Sequence, residues 1–225
     1  KFNNLILWIY HPRYLDAIGK FKEDCIVYDC MDDFTSLLST YEDRGRNAGD
    51  EGVLLRKADI VFAGGYSIAE IKRDSRGHIH VFPSAVEIDH FKKALSDTLE
   101  MPDDIRDIPH PILGYWGAID ERVDHELLKR LAMKHPEWSI VLLGPIVKHK
   151  VGDTSYLREM KNIFWLGPKD YSLLPNYAKA FDVCLIPFVL SREGIFLSPT
   201  KTLEYLATGK PVVSTPITDV VKFYH

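Results

Sequence analysis

The sequence predicts an α/β protein of two doubly wound domains whose parallel sheets face a cleft. Short apolar runs ending in Gly or Pro, such as Ile112–Trp116 before Gly117, Ser139–Leu143 before Gly144 and Val183–Ile186 before Pro187, alternate with amphipathic helical stretches. Between about 92 and 110 this periodicity lapses into Lys, Asp, Glu and Pro, the composition of a linker. Residues 1–92 are therefore expected to form one domain, 93–110 the connection and 111–225 the second domain. A length of 225 residues, 46% hydrophobic and 27% charged, suffices for two modest cores. The chain lacks an initiating Met, enters a strand almost at once and stops in Thr218–His225, which reads as an unfinished helix, so both domains are expected to be incomplete.

Bulk properties exclude several classes. A formal net charge of -4 and a pI near 6.1 do not suit a nucleic-acid partner, which would call for clustered Lys and Arg. No apolar run approaches the roughly 20 residues of a membrane span. Cys25, Cys30 and Cys184 are too scattered for a disulfide framework, and Cys25 and Cys30 lack zinc-site companions, so reduced thiols are expected. Neither common glycine-rich phosphate loop is present, which counts against a P-loop nucleotidase or a nicotinamide-dependent dehydrogenase.

In chain order, Leu5–Tyr10 reads as a buried parallel strand ended by His11-Pro12-Arg13. His11 thus stands at a strand's carboxyl end, where ligands collect in such sheets, although a loop His also occurs without function. The next strand, Cys25–Tyr28, empties into Asp29, Asp32 and Asp33. Three readings fit these carboxylates: a hard-metal site, a general base or hydroxyl acceptor, or capping of the following turn. Residues 41–50 read as a solvated connection or a mobile loop, followed by a helix over Glu51–Lys57 and a strand over Asp59–Ala63. Ser67 and Glu70 have capping-box spacing, and His78–Phe82 is a short strand.

In the second half, Gly117 at the end of its strand permits close backbone approach by a substrate, and Arg122 in the same loop offers paired donors to a diphosphate. Asp124 precedes a helix with Leu127, Leu128, Leu131 and Ala132 on its apolar side, closed by Pro136. The strand ends at Gly144-Pro145 and Gly167-Pro168 repeat the pattern.

The most informative stretch is Phe196–Thr215. Ser198 suits an N-cap and Pro199 the first helical position, while Gly209 and Pro211 stop the helix, which should span Pro199–Thr208. Leu203, Leu206 and Ala207 are expected to face the core, with Lys201, Glu204 and Thr208 together on another side. Ser198, Thr200 and Lys201 would then present backbone N–H groups and one full charge to a phosphate, and Glu204 an acceptor to hydroxyls. Such a set suits a nucleotide-diphosphate sugar; an ordinary surface ion pair between Lys201 and Glu204 is the alternative.

The run Ser198-Pro199-Thr200-Lys201-Thr202-Leu203-Glu204-Tyr205-Leu206-Ala207-Thr208-Gly209-Lys210-Pro211-Val212-Val213 resembles the donor-binding segment of GT-B glycosyltransferases of group 1 (family 4-like), in particular the teichuronic-acid-type branch. The likeness extends to Val27–Phe34, Lys57–Phe62, Pro111–Ile119 and Phe181–Phe188, and so to nearly the whole chain. It implies two Rossmann-like domains, the first binding an acceptor and the second a nucleotide-diphosphate sugar, UDP- or GDP-linked, with no cofactor and no metal. Lys201 and Arg122 would neutralise the leaving diphosphate, with Gly117 and Gly144 lining the donor and Glu204 holding the ribose. Many members place a His near Asp29, which leaves Asp29 as the catalytic candidate on the acceptor side, beside His11 and Asp32. Three departures stand out. The first Glu of the family's usual pair falls on Phe196, with Glu193 as a nearby substitute. Asp124 stands where a Lys is usual, and Ser84-Ala85 replace Asn-Gly.

The resemblance implies a hexosyltransferase acting on a hydroxyl of a glycan or lipid-linked acceptor in cell-surface polysaccharide synthesis, with retention of configuration. Its expected place is the cytoplasm, in peripheral association with the inner membrane face. The alternatives are another GT-B sugar-nucleotide enzyme, an epimerase or a phosphorylase, or a non-catalytic GT-B-like binding or scaffold subunit.

Overall fold

The computed structural model describes residues 3–33, 41–73, 79–147, 154–190 and 198–224, without the helix side chains of 41–47. The chain divides into two compact units: Lys1–Ser84 with Ser191–Ser198 and Pro216–His225, and Ala85–Leu190 with Pro199–Thr215.

The first unit contains β1 (Ile6–Ile9), β2 (Cys25–Cys30), α1 (Tyr41–Lys57), β3 (Ile60–Ala63), α2 (Tyr66–Lys72) and β4 (Ile79–Val81). Its strands pair in parallel in the order β1-β2-β3-β4. Alternation along the strands sends Ile9, Tyr28, Cys30, Val61 and Ala63 to one face, where they bury against Leu54, Ala58, Ile68 and Ala69. On the other face Trp8 and Phe62 stack 5.6 Å apart. Helix α1 begins at Tyr41, so the stretch 41–50 is helical and not the connection expected of it. Gly45, Gly49 and Gly52 weaken local helix propensity, and buried Leu54 and Glu51 supply the tertiary anchorage that overrides it.

Inside this unit a polar network is sealed from water. Lys72 Nζ lies 2.6 Å from Asp33 Oδ1 and 2.7 Å from Glu51 Oε2, while the Tyr28 hydroxyl donates to Glu51 Oε1 at 2.7 Å. Burial and the neighbouring carboxylate push the Tyr28 phenol well above its ordinary pKa.

The second unit runs α3 (Ile88–Phe91), α4 (Asp103–Arg106), β5 (Ile112–Trp116), α5 (His125–Lys134), β6 (Ser139–Leu143), α6 (Tyr156–Glu159), β7 (Ile163–Gly167), α7 (Leu174–Ala180), β8 (Val183–Ile186), α8 (Thr200–Ala207) and β9 (Val212–Ser214). Its parallel sheet has the order β7-β6-β5-β8-β9, with β5 buried along its length. The stretch expected as a linker, 93–110, packs on this unit instead. Ala94, Ile105 and Ile108 are buried, and Lys179 Nζ donates to the carbonyls of Ser96, Asp97 and Leu99 at 3.0, 2.9 and 2.7 Å. A few well-spaced apolar residues and one lysine thus order a segment whose composition is that of a connection.

The last helix, α9 (Thr218–Phe223), belongs to the first unit, although its sequence follows the second sheet. Asp219 accepts from the backbone N–H groups of Tyr66 at 3.1 Å and Ser67 at 2.9 Å, capping α2 from a distant part of the chain. This replaces the expected Ser67–Glu70 capping box: Ser67 is buried and Glu70 pairs with Lys222 at 2.8 Å.

Candidate functional site

In the second sheet β5 lies between β6 and β8, so the connections leaving it diverge and open a crevice at the strands' carboxyl ends. The lining of this switch point is set by two glycines. Gly117 and Gly144 both have φ of +141°, a backbone region that side chains oppose. A β-carbon on Gly144 would fall on the Gly117 carbonyl, and the Gly117 N–H donates to Leu143 O at 2.8 Å. The two strand-end loops therefore touch backbone to backbone.

Helix α8 delivers the charged residues to that edge. Its N-cap is Pro199, without a side-chain bond, so Ser198 does not cap it; Thr200 is its exposed first residue. The buried stripe is Thr202, Tyr205 and Thr208, whereas Leu206 is 45% exposed, which turns the helix from its expected orientation. Tyr205 decides this: its hydroxyl accepts from the Trp116 backbone N–H at 3.0 Å and its ring meets the indole edge-on at 4.2 Å. Thr208, expected beside Lys201 and Glu204, instead donates its hydroxyl to Tyr205 O at 2.6 Å.

Lys201 is thereby laid across Gly117, with Cε and Nζ 2.5 and 2.7 Å from the position a β-carbon there would take. Burial holds its pKa below the ordinary lysine value; Arg122 lowers it further, and Glu204 and Asp120 pull the other way. Among the described residues it has no ion-pair partner, so the surface pair with Glu204, the alternative reading of the sequence, is not formed. Glu204 Oε2 accepts instead from the Trp116 indole N–H at 2.8 Å.

Arg122 is engaged by buried Asp120: Nη2 donates to Oδ2 at 2.6 Å and Nε to Oδ1 at 3.0 Å. This hydrogen-bonded carboxylate raises the guanidinium pKa still further. Asp124 accepts from Leu127 N at 2.8 Å and is the N-cap of α5. Trp116 and Asp120 are the members of the cluster that sequence reasoning missed; the available signals were an indole at a strand end and an Asp two residues before an Arg.

The remaining candidates lie in the first unit. Asp29 Oδ2 accepts from the Trp8 indole at 3.2 Å and borders a hollow of about 390 Å³ lined also by Met31, Phe62, Phe82 and Pro83. His11 Nδ1 accepts from Arg13 N at 3.2 Å, capping the short 3-10 turn Pro12–Ala17, and burial lowers its pKa. Asp32 is half-buried just after β2, and its carbonyl accepts from the Cys30 thiol at 3.4 Å. Glu193 lies outside the described residues. Among those described, no group of three or more His, Cys, Asp or Glu is placed to hold a metal ion, and no helix is long and apolar enough to cross a membrane.

Parallel α/β sheets of this kind are shared with many doubly wound folds, and likeness to solved structures places the chain in the GT-B fold. The chain belongs to the family of glycosyl transferases group 1, whose model matches residues 111–223. It is 26% identical over 230 residues to TuaH of Bacillus subtilis (strain 168), named as a teichuronic acid biosynthesis glycosyltransferase, covering 96% of this chain and 56% of that one. The structure of Anabaena HepE in complex with UDP and glucose aligns with a TM-score of 0.69 at 17% identity, over 98% of this chain and 61% of HepE. Sucrose-phosphate synthase from Thermosynechococcus elongatus gives 0.69 at 14% identity, over 96% and 57%. The chain thus spans little more than half the length of these relatives.

Proposed function

We propose that the protein transfers a hexose from a nucleotide-diphosphate sugar to a hydroxyl of a glycan or lipid-linked acceptor, with retention, in cell-surface polysaccharide synthesis. The observation that carries this reading is Lys201: a half-buried ammonium at the sheet's switch point, laid across Gly117 and, among the described residues, without an ion-pair partner. A diphosphate placed there gives the ammonium a direct counter-ion. Gly117 and Gly144 leave room for it, and Glu204 presents a carboxylate one helical turn away for the ribose. As the bond from sugar to phosphate breaks, charge gathers on the departing diphosphate, and Lys201 and Arg122 stabilise it electrostatically. Asp29, with His11 and Asp32, serves the acceptor side.

UDP is the favoured nucleotide, since HepE was crystallised with it, and a teichuronic-acid-type acceptor is suggested by the name of TuaH. The reaction uses no cofactor or metal and runs in the cytoplasm, at the inner face of the membrane. The test is a calorimetric titration with UDP, GDP and ADP, followed by product analysis with the matching sugar nucleotides, with and without a chelator. Tight binding of one diphosphate and chelator-insensitive transfer are expected. Absence of binding to all three would refute the donor site.

A further inference from the structure

We infer that Trp116 is a positioning residue for nucleotide recognition: its indole N–H pins one oxygen of Glu204, so that the carboxylate meets the ribose through its other oxygen in a fixed orientation. The inference rests on the donor-site reading of Glu204. Trp116 is only 4% exposed and is clamped on several sides. Its ring stacks on Phe91 at 5.8 Å and 3°, and on Phe181 at 6.0 Å and 28°, and it takes the Tyr205 edge at 4.2 Å. Its backbone N–H is bound by the Tyr205 hydroxyl at 3.0 Å. An indole so held has no freedom to follow a moving carboxylate. The 2.8 Å bond from its Nε1 therefore fixes Glu204 Oε2, and with it the side-chain rotamer.

Two consequences follow from the chemistry. An indole N–H is a donor only, so it commits Oε2 without neutralising the carboxylate, which stays a charged acceptor at Oε1. A pre-oriented acceptor also loses less rotamer freedom on binding than a free glutamate, so the indole contributes to affinity without touching the nucleotide. The ribose hydroxyls, rather than the base or the phosphates, are what this device reads.

The test compares UDP with 2′,3′-dideoxy-UDP, and GDP with its dideoxy counterpart, by calorimetry on the wild type, Trp116→Phe, Glu204→Ala and the double variant. Trp116→Phe keeps an aromatic ring in the stack and removes the N–H. The wild type should prefer the ribose form by about tenfold or more, the scale of a charge-assisted hydrogen bond. Trp116→Phe should shrink that preference to about threefold or less while leaving dideoxy affinity unchanged, and should add nothing in the Glu204→Ala background. Equal weakening of both forms by Trp116→Phe would mean a merely structural indole and would overturn the inference while leaving the donor site standing. An undiminished ribose preference would do the same. A wild type that binds neither diphosphate would remove both readings together. Trp116→His, which restores a ring N–H, provides the conservative rescue and should recover part of the ribose preference.

Discussion

Lys201 lies where a side chain on residue 117 would have to be: its Cε and Nζ are 2.5 and 2.7 Å from the β-carbon position that Gly117 leaves empty. The absence of a side chain at one strand end thus decides where the cation of the opposite helix rests.

Gly117→Ala tests that dependence. The new methyl faces both a backbone with φ of +141° and the lysine stem. It should cost about 1–3 kcal/mol of stability through strain and displace the ammonium, weakening UDP binding more than uridine binding. Thermal melts and titrations with both compounds check this, and unchanged UDP affinity would detach Gly117 from the site.

Burial of the Lys201 ammonium also has a pH signature. Because its folded pKa lies below the ordinary 10.5, the unfolded chain binds more protons than the folded one between those two values, so this group's contribution makes stability rise with pH there. Below the folded pKa the cost of the buried charge is present in full. Lys201→Met should therefore raise the melting temperature at pH 7.5, with a gain that shrinks as the pH nears 10.5. In saturating UDP the order should invert, since only the wild type keeps the phosphate contact. Melting curves of both proteins across that range decide it; a gain that grows with pH would contradict the sign.

Asp120 and Arg122 make a second testable pair. Formal charges on Lys201, Arg122, Asp120 and Glu204 sum to zero, two cations against two carboxylates, and the Asp120 carboxylate occupies Arg122 Nε and Nη2. Asp120→Asn leaves an acceptor for the guanidinium but gives the cluster a net positive charge. UDP should bind severalfold tighter and more salt-dependently, while the buried change lowers stability by about 1–3 kcal/mol. Titrations at two ionic strengths would show weaker UDP binding if Asp120 serves only to orient the arginine.

In the first unit, Lys72→Met removes the ammonium that bridges buried Asp33 and Glu51. Loss of one partner of this buried ion pair should cost about 3–5 kcal/mol in denaturant unfolding. A loss under 1 kcal/mol would mean that water reaches the pair.

Much of this was legible in the residues. Apolar strands ending at Gly117, Gly144 and Pro187 marked the sheet and its ligand edge, because strand burial and chain reversal are encoded locally. The ends of α8 were legible for the same reason: Pro199 and Gly209 bracket it in sequence. Its rotation was not, since a hydrogen bond from Trp116, some 89 residues away, buries Tyr205 in preference to Leu206. Likewise, nothing near Tyr66 announces that Asp219 caps its helix, and the order of 93–110 depends on Lys179. The partners of Glu204 and Arg122 were missed because helix-on-strand packing and turn geometry, not spacing, select them.

The central claim is that Lys201 holds the diphosphate of a nucleotide donor, and the most direct measurement is calorimetric titration of wild type and Lys201→Ala with UDP and with uridine. The account predicts that the substitution weakens UDP binding by about tenfold or more, the usual scale of a charged contact, and leaves uridine binding within about twofold. Equal affinities of the two proteins for UDP, with both chains folded, would contradict it.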